Sequence, residues 1–363
     1  MQSVDGQDIM KSDQRRILNI YHNWPQHFKI ASEMSCELDH QSKYYKSLIL
    51  CGMGGSATAC DILDCLVCRM GSIPSLVVRG HHIPSYVDEH CLVLVNSVSG
   101  NTTETISMAK DAIKKNAEVI CITSGGRLKD LCIEHKCKYL EIPQLSMPRA
   151  ALPYLLIPGL RLISSFLEEP IEESIVSLPE RLAGIRSRIS IEEAEKEINI
   201  GRKIAKFFMD GFAYCYASPA LLSVGTRFKN SLNENAKVHC VKESIMEASH
   251  NEIVPFTFIE NCVAPKVLHV RWQYDEAPVQ ERFDSVRSLF CKVVQPLMEL
   301  NIMDVSLINA MISSIFILDY ATIYMALLRN LDPSPTPAID ILKGNSTTRI
   351  PIRTDERLLS IDV

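Results

Sequence analysis

Two short segments of the sequence combine glycine with hydroxyl side chains in the way that anion sites do. They are Gly54-Gly55-Ser56 and Ser97-Val98-Ser99-Gly100-Asn101-Thr102. A strand-to-helix turn of this composition offers backbone N–H groups, hydroxyl donors and the positive end of a helix dipole to a phosphate. Neither segment matches the Walker pattern or the dinucleotide-binding glycine spacing. The pair predicts a site for a small phosphorylated metabolite, although a single such turn could also serve only to cap its helix.

Short apolar runs before these segments place both of them at strand ends. The first half has such runs at 47–51, 76–78, 92–95 and 119–123, and segments of helical composition at 57–67 and 106–115. Six of the 15 glycines lie at three of these strand ends. Short strands that alternate with helices predict an α/β fold with a doubly wound, mostly parallel sheet flanked by helices. Ligands of such a sheet gather at the carboxyl ends of its strands.

The second half repeats this architecture without the glycine and hydroxyl turns. A charged stretch at 168–197 separates the two halves. Further strands are predicted at 212–217, 237–241 and 267–271, and further helices at 219–230, 279–299 and 306–330. We therefore predict two subdomains of the same type, at 23–168 and 169–330. A short N-terminal extension at 1–22 precedes them, and a C-terminal tail at 331–363 is expected to fold back as a lid.

The composition restricts the class of protein. Of 363 residues, 47% are hydrophobic and 22% are charged, which is typical of a globular protein. With 38 Lys and Arg against 43 Asp and Glu, the net charge of −5 disfavours nucleic-acid binding. The apolar stretch 307–328 is interrupted by polar residues, which predicts a buried helix rather than a membrane span. The 13 cysteines show no repeated spacing, which favours reduced thiols in a cytoplasmic protein.

Four further motifs accompany the two turns. They are Pro148-Arg149-Ala150, Leu232-Asn233-Glu234-Asn235-Ala236-Lys237, Ser249-His250-Asn251-Glu252, and Asp332-Pro333-Ser334-Pro335-Thr336-Pro337 continuing to Lys343. In this order, the whole set resembles the bifunctional phosphoglucose/phosphomannose isomerase family, which is built from tandem sugar isomerase (SIS) domains. The resemblance extends from about residue 23 to residue 343, which is nearly the whole chain.

The resemblance implies a role for each of these motifs. The residues that hold the sugar phosphate are Gly55, Ser56, Ser97, Ser99 and Thr102. Arg149 stabilises negative charge near the reacting carbons, Glu234 is the catalytic base, and His250 is the acid of ring opening. Lys343 handles a further proton near the ring oxygen, and Thr336 leaves room for either C2 epimer. The family takes this histidine from the partner subunit, which implies a homodimer, and its reaction uses neither a metal nor a cofactor.

The chemistry of an aldose–ketose conversion suits these residue types. One carboxylate can move a proton between C1 and C2 if its surroundings bring its pKa toward the working pH. We expect Glu234 to do so from the start of a helix. A fixed guanidinium such as Arg149 stabilises an enediolate better than a flexible lysine does. Histidine titrates near neutral pH and so suits ring opening, and Glu252 is placed in sequence to orient His250.

The sequence therefore predicts an isomerase that interconverts glucose 6-phosphate, and also mannose 6-phosphate, with fructose 6-phosphate through ring opening and an enediol. Two alternatives stay open. One is a SIS-type sugar-phosphate sensor that binds without catalysis, and the other is a related isomerase of amino sugars or ketose phosphates. A Glu234 side chain that faced bulk water, far from the 97–102 turn, would remove the basis of the isomerase hypothesis.

Overall fold

The structure, a computed structural model, describes residues 12–34, 44–191, 199–258, 265–293 and 295–344. The elements of its first half are α1 (Ile17–His22), α2 (Trp24–Glu33), β1 (Ser47–Gly52), α3 (Gly54–Met70), β2 (Ser75–Val78), β3 (Cys91–Ser97), α4 (Thr103–Lys114), β4 (Glu118–Thr123), α5 (Gly126–His135), β5 (Lys138–Glu141), α6 (Leu152–Ile163) and α7 (Glu172–Ile189). The strands pair in the order β2-β1-β3-β4-β5, and every pairing is parallel. The four predicted strands are confirmed to within two residues. The sequence did not predict β5, an edge strand with a charged residue at each end.

Side chains of the central strands alternate between two hydrophobic clusters, as expected for a parallel sheet that is covered on both faces. Leu48 and Leu50 of β1 lie in one cluster with α3 and α6. Ile49 and Cys51 lie in the other with α4 and α5. Helices therefore cover both faces, which leaves the strand ends as the places where a ligand can approach the sheet.

The second half forms another parallel sheet. Its elements are α8 (Ile200–Phe207), β6 (Phe212–Ala217), α9 (Leu222–Ser231), β7 (Cys240–Ser244), α10 (Ile245–Ala248), β8 (Pro265–Trp272), α11 (Ala277–Lys292), β9 (Leu297–Ile302), α12 (Leu307–Leu328) and α13 (Pro337–Leu342). The strand order is β7-β6-β8-β9, again with every pairing parallel. The fold class of two α/β subdomains, each a parallel sheet flanked by helices, agrees with the prediction.

Two predicted elements of the second half are wrong in their bounds. The strand expected at 237–241 begins only at Cys240, because Lys237 takes a left-handed backbone with φ 59° that ends a helical turn. The helix expected at 279–299 ends at Lys292, and β9 follows it. Apolar spacing alone does not separate the end of this helix from the strand, which is fixed by its pairing with β8.

Helix α12 joins the two halves. It is buried along its whole length except at Leu328, and it packs against α7, α8 and α9. The helix is long and apolar enough to span a membrane, but the fold encloses it, as predicted. The N-terminal helix α1 packs into the same cluster through Ile17 and Tyr21, which are fully buried. The described part of the predicted N-terminal extension, residues 12–22, thus contributes to the core.

A buried ion pair connects these helices to the loop before α6. Arg227 of α9 donates from Nη2 to Asp319 Oδ2 of α12 at 2.9 Å, and both side chains are almost fully buried. The same nitrogen donates to Tyr21 Oη at 2.9 Å and to the carbonyl oxygen of Arg149 at 2.7 Å. Ser231 Oγ donates to Asp319 Oδ1 at 2.5 Å. The network fixes the main chain of Arg149 relative to both halves of the protein.

Replacing Arg227 with Met is expected to destabilise the protein strongly, because it leaves the Asp319 carboxylate buried without its partner. Breaking one side of a buried pair costs about 3–5 kcal/mol. Urea unfolding should show this loss in the R227M variant, while the double variant R227M/D319L should recover part of it. An R227M protein with the unfolding midpoint of the wild type would contradict the importance of the pair.

Candidate active site

The two glycine and hydroxyl turns lie side by side at one edge of the first sheet. The first links β1 to α3 and the second links β3 to α4, and β1 and β3 are neighbours, with Gly52 paired in register with Asn96. The backbone N–H of Val98 donates to Ser56 Oγ at 3.4 Å, which joins the turns directly. The structure therefore brings together the phosphate-binding residues predicted from the sequence.

The hydroxyl groups of these turns are not used as helix caps. Thr102 stands at the N-cap position of α4, but its side chain makes no capping hydrogen bond. Ser97 is 2% exposed, and its Oγ has no hydrogen-bond partner among the described residues. A buried hydroxyl without a partner is costly unless a ligand completes it. These observations favour an anion site over the simpler alternative of capping.

Arg149 lies directly against the first turn. It belongs to the short 3-10 turn Pro148–Ala150, which precedes α6. A Cβ added at Gly55 would stand 3.0 Å from Arg149 Cα, so only glycine permits this close approach without a shift of the backbone. The main chain of Arg149 is thereby held beside the turn that carries Ser56.

Glu234 faces this guanidinium. It lies in a π-helical turn, Leu232–Ala236, that follows the C-terminal end of α9, and not at a helix start as the sequence suggested. Glu234 Oε2 is 3.6 Å from Arg149 Nη1, and the two side chains are 24% and 7% exposed. Local π-helical geometry is frequent at functional sites, where it redirects side chains. Glu234 thus lies in a partly enclosed position, connected through Arg149 and Gly55 to the phosphate turns.

The remaining hydrogen bonds of Arg149 determine which of its nitrogens is left for a ligand. Nε donates to Asn235 Oδ1 at 2.9 Å. Nη2 donates to the carbonyl oxygens of Pro333 and Ser334 at 2.8 and 3.1 Å. Nη1, which faces Glu234, has no hydrogen bond to the described residues. Burial lowers the pKa of Arg149, and the neighbouring Tyr21 and Glu234 act in the opposite direction. Arginine remains charged under these conditions.

The C-terminal residues of the predicted site follow the turn that Arg149 holds. Thr336 is half-buried and stands before α13. Lys343, directly after α13, is exposed. The pKa of Glu104, in the first turn of α4, is lowered first by a hydrogen bond from its own amide, then by a hydrogen bond from Thr103, and further by the charge of Lys343.

His250 does not join this group within the chain. It is exposed, and its ring makes no hydrogen bond or ion pair with the residues that the structure describes. The expected pairing with Glu252 is wrong. The pKa of Tyr216 is raised by burial and then by the charge of Glu252, so this carboxylate lies beside Tyr216 instead. Arg149 and Glu234 therefore meet within the chain, while His250 is exposed and lies apart from them.

Sequence reasoning missed two residues that shape the site. Asn235 is fully buried, accepts from Arg149 Nε, and donates from Nδ2 to Thr322 Oγ1 at 2.9 Å. Lys237 donates to the carbonyl oxygens of Pro333 and Pro335 at 3.2 and 2.8 Å. Both follow Glu234 in the N-E-N-A-K motif. The motif was the one sequence feature that pointed to them, but nothing in the sequence indicates what they contact.

Comparison with known proteins identifies the family. Residues 44–129 match the SIS domain, and residues 197–345 match the bacterial phospho-glucose isomerase C-terminal SIS domain. A bifunctional phosphoglucose/phosphomannose isomerase of Caldicellulosiruptor bescii is 30% identical over 328 residues, which are 89% of this chain and 96% of that protein. The chain belongs to the bifunctional phosphoglucose/phosphomannose isomerase family. This confirms the resemblance seen in the sequence.

One further relative belongs to the same family, and one solved structure shares the fold. A member from Thermoplasma acidophilum is 31% identical over 308 residues, which cover 82% of this chain and 89% of that protein. The crystal structure of a glucose-6-phosphate isomerase like protein from Thermus thermophilus superposes with a TM-score of 0.62 at 14% identity, covering 95% of this chain and 100% of that chain. The structural likeness shows that the two proteins share a fold.

The turn at 97–102, which is predicted to bind phosphate, depends on Gly100 for its backbone conformation. Gly100 has φ +63°, and an added Cβ would overlap the carbonyl oxygen of Gly125 at 1.7 Å. We expect Gly100→Ala to raise KM for the sugar phosphate about tenfold or more, because the turn must open to relieve the overlap and about 1.4 kcal/mol of lost binding is tenfold. Gly184→Ala is the control, since Gly184 lies within α7 with nothing within 4 Å of its added Cβ. An unchanged KM in the Gly100→Ala enzyme would contradict the role of the turn.

Proposed function

We propose that this chain interconverts glucose 6-phosphate and mannose 6-phosphate with fructose 6-phosphate, as the family of its relatives indicates. The observation that carries the proposal is the approach of Glu234 Oε2 to within 3.6 Å of Arg149 Nη1, beside the first turn, whose neighbour, the second turn, carries the buried Ser97 hydroxyl without a partner among the described residues. A carboxylate and a guanidinium at this separation can act on the two adjacent carbons of one open-chain sugar. The chain is thus an intramolecular oxidoreductase of sugar phosphates.

In the proposed mechanism, the phosphate binds to the amides and hydroxyls of the two turns, at Gly55, Ser56, Ser97, Ser99 and Thr102. Anchoring the anionic end fixes C1 and C2 relative to the protein, which reduces the entropic cost of reaching the transition state. His250 and Lys343 are proposed to transfer the protons that open the ring between O5 and O1. The open-chain aldose is then ready for proton transfer.

Glu234 removes the proton from C2 and returns it to C1, and the proton on O2 is transferred to O1 as the ketose forms. The intermediate is an enediolate, whose negative charge Arg149 Nη1 stabilises. Thr336, which follows the turn held by Arg149, is proposed to leave room for the C2 hydroxyl of either epimer. No step in this scheme requires a metal or a cofactor.

We also propose that the active enzyme is a homodimer in the cytoplasm, where it serves glycolysis or gluconeogenesis. The outward position of His250 supports the dimer, because the family takes this histidine from the partner subunit. Exposed apolar side chains at Val254 and Phe258, on the same segment, offer a surface for that contact. The proposed tail at 331–363 and subdomains at 23–168 and 169–330 stay predictions.

Coupled assays of the purified protein test the function directly. Formation of fructose 6-phosphate from glucose 6-phosphate, and separately from mannose 6-phosphate, is measured with excess chelator. We expect turnover of both aldose phosphates. Tight binding without turnover would favour the sugar-phosphate sensor instead, and turnover confined to amino sugars would favour the third alternative.

A further inference from the structure

Lys237 follows the π-helical turn that carries Glu234 and points its ammonium group across to the C-terminal turn. Lys237 Nζ donates to the carbonyl oxygens of Pro333 at 3.2 Å and Pro335 at 2.8 Å. The same nitrogen donates to the carbonyl oxygen of Glu234. One side chain therefore joins the backbone of the proposed base to the backbone of the residues just before Thr336.

The three contacts of Lys237 Nζ use all of its hydrogen-bond donors. An ammonium group has three N–H donors and no acceptor, and each donor has a main-chain carbonyl as its partner. No proton is left to be given to a substrate. Lys237 is therefore poorly placed to act as an acid and well placed to hold two segments in a fixed relation.

The turn that Lys237 holds is also hydrogen-bonded to Arg149. Pro333 O accepts from both Lys237 Nζ and Arg149 Nη2, so the two cations share one carbonyl. The helix α13, which comes next, has no buried residue of its own. Pro333 and Ser334 of the turn are themselves buried, so the position of Thr336 and Lys343 depends on this turn and on the hydrogen bonds that Lys237 and Arg149 make to it.

We propose that Lys237 is a positioning residue, whose ammonium group ties the 333–335 turn to Glu234 and so sets the place of Thr336 over the reacting carbons. This inference rests on the proposed function for its effect on catalysis. Its structural part, the tie itself, does not depend on the reaction.

The variants Lys237→Met and Lys237→Arg test the proposal, with Lys203→Met of the exposed face of α8 as the matched control. In K237M we expect kcat to fall about 10–100-fold, since small misplacements of reacting groups cost up to about 10²-fold. KM should change less than about threefold, because the phosphate turns are untouched. The ratio of kcat/KM for the two aldose phosphates should shift, and K237R should recover part of kcat.

The pH profile separates this role from a merely structural one. Partial burial of the ammonium, and then the charge of Arg149, lower the pKa of Lys237 to about 8, against the pull of Asp332 and Glu234. Above this pH the neutral amine loses a donor, so kcat should fall as pH rises through about 8, and this fall should move to higher pH in K237R.

The free energy of unfolding should respond to pH in the opposite direction. The folded pKa is below the unfolded one, so loss of the proton above about pH 8 favours the folded state.

Amide hydrogen exchange supplies a readout that does not need turnover. The amides of Ile339 and Asp340 are hydrogen-bonded to Thr336 O at the start of α13. They should exchange faster in K237M than in K203M at an unchanged melting temperature. Wild-type kcat together with wild-type exchange in K237M would overturn the proposal, as would a loss of kcat that follows a loss of global stability. If the wild-type protein turns over neither aldose phosphate, the proposed function fails, while the exchange data still decide on the tie.

Discussion

Replacing Glu234 with Gln should lower kcat for the conversion of glucose 6-phosphate to fructose 6-phosphate by about 10²–10⁴-fold, the usual contribution of one acid–base group. The amide has nearly the shape of the carboxylate but cannot accept the proton from C2. Glu234 is 24% exposed and sits 3.6 Å from Arg149 Nη1, the group that is proposed to stabilise the enediolate. KM should stay within a few-fold, because the phosphate binds elsewhere.

The control for this variant is Glu281→Gln, at an exposed residue of α11 that has no contact with Arg149 among the hydrogen bonds and ion pairs of the described residues. Steady-state kinetics and thermal unfolding are measured for both variants. We expect both to melt like the wild type, and only E234Q to lose kcat. Retention of more than about a tenth of the wild-type kcat in E234Q would mean that another group is the base.

Replacing Arg149 with Lys should lower kcat by about 10²–10³-fold, the effect of removing one stabiliser of a developing oxyanion. Arg149 uses Nε and Nη2 to hold Asn235 and the 333–334 carbonyls, which leaves Nη1 directed at the reaction site. A lysine has a single nitrogen and cannot hold these partners and face Glu234 at once. The loss of kcat should therefore be large even though the substitution keeps the positive charge.

Arg282→Lys on α11 is the matched control for this change, since no ion pair or hydrogen bond of Arg282 is seen in the described part of the chain. The decisive comparison is between kcat and the melting temperature. A kcat loss with a small change in melting temperature supports a role in the transition state. An R149K enzyme with wild-type kcat would show that the guanidinium has no part in stabilising the enediolate.

The strand ends of the first sheet were predictable from the sequence, because apolar runs that stop at glycine and hydroxyl residues have few other interpretations. The same holds for α12, whose length and polar interruptions predict a buried helix. The position of the two glycine and hydroxyl turns was predictable for this reason, since it follows from the strands that they end, while their binding of a phosphate stays a prediction.

The surroundings of Glu234 were not predictable in the same way. The π-helical turn Leu232–Ala236 continues a helical pattern, so the sequence does not indicate where the side chain is redirected. The contacts of Arg149 and Lys237 are with main-chain carbonyls, which any residue type supplies. The residue types at 333–335 therefore do not predict these contacts. The position of β9 was hidden because a parallel edge strand depends on its neighbour more than on its own composition.

The central claim, that Glu234 carries hydrogen between C2 and C1, is tested most directly by solvent exchange at C2. Glucose 6-phosphate is incubated in D2O with the wild-type enzyme, E234Q or E281Q, and deuterium at C2 is followed by NMR. We expect the wild type and E281Q to incorporate deuterium, because a carboxyl group exchanges its proton with solvent during part of the turnovers, and E234Q to lose exchange in proportion to its loss of kcat. Exchange at the wild-type rate in E234Q would contradict the account.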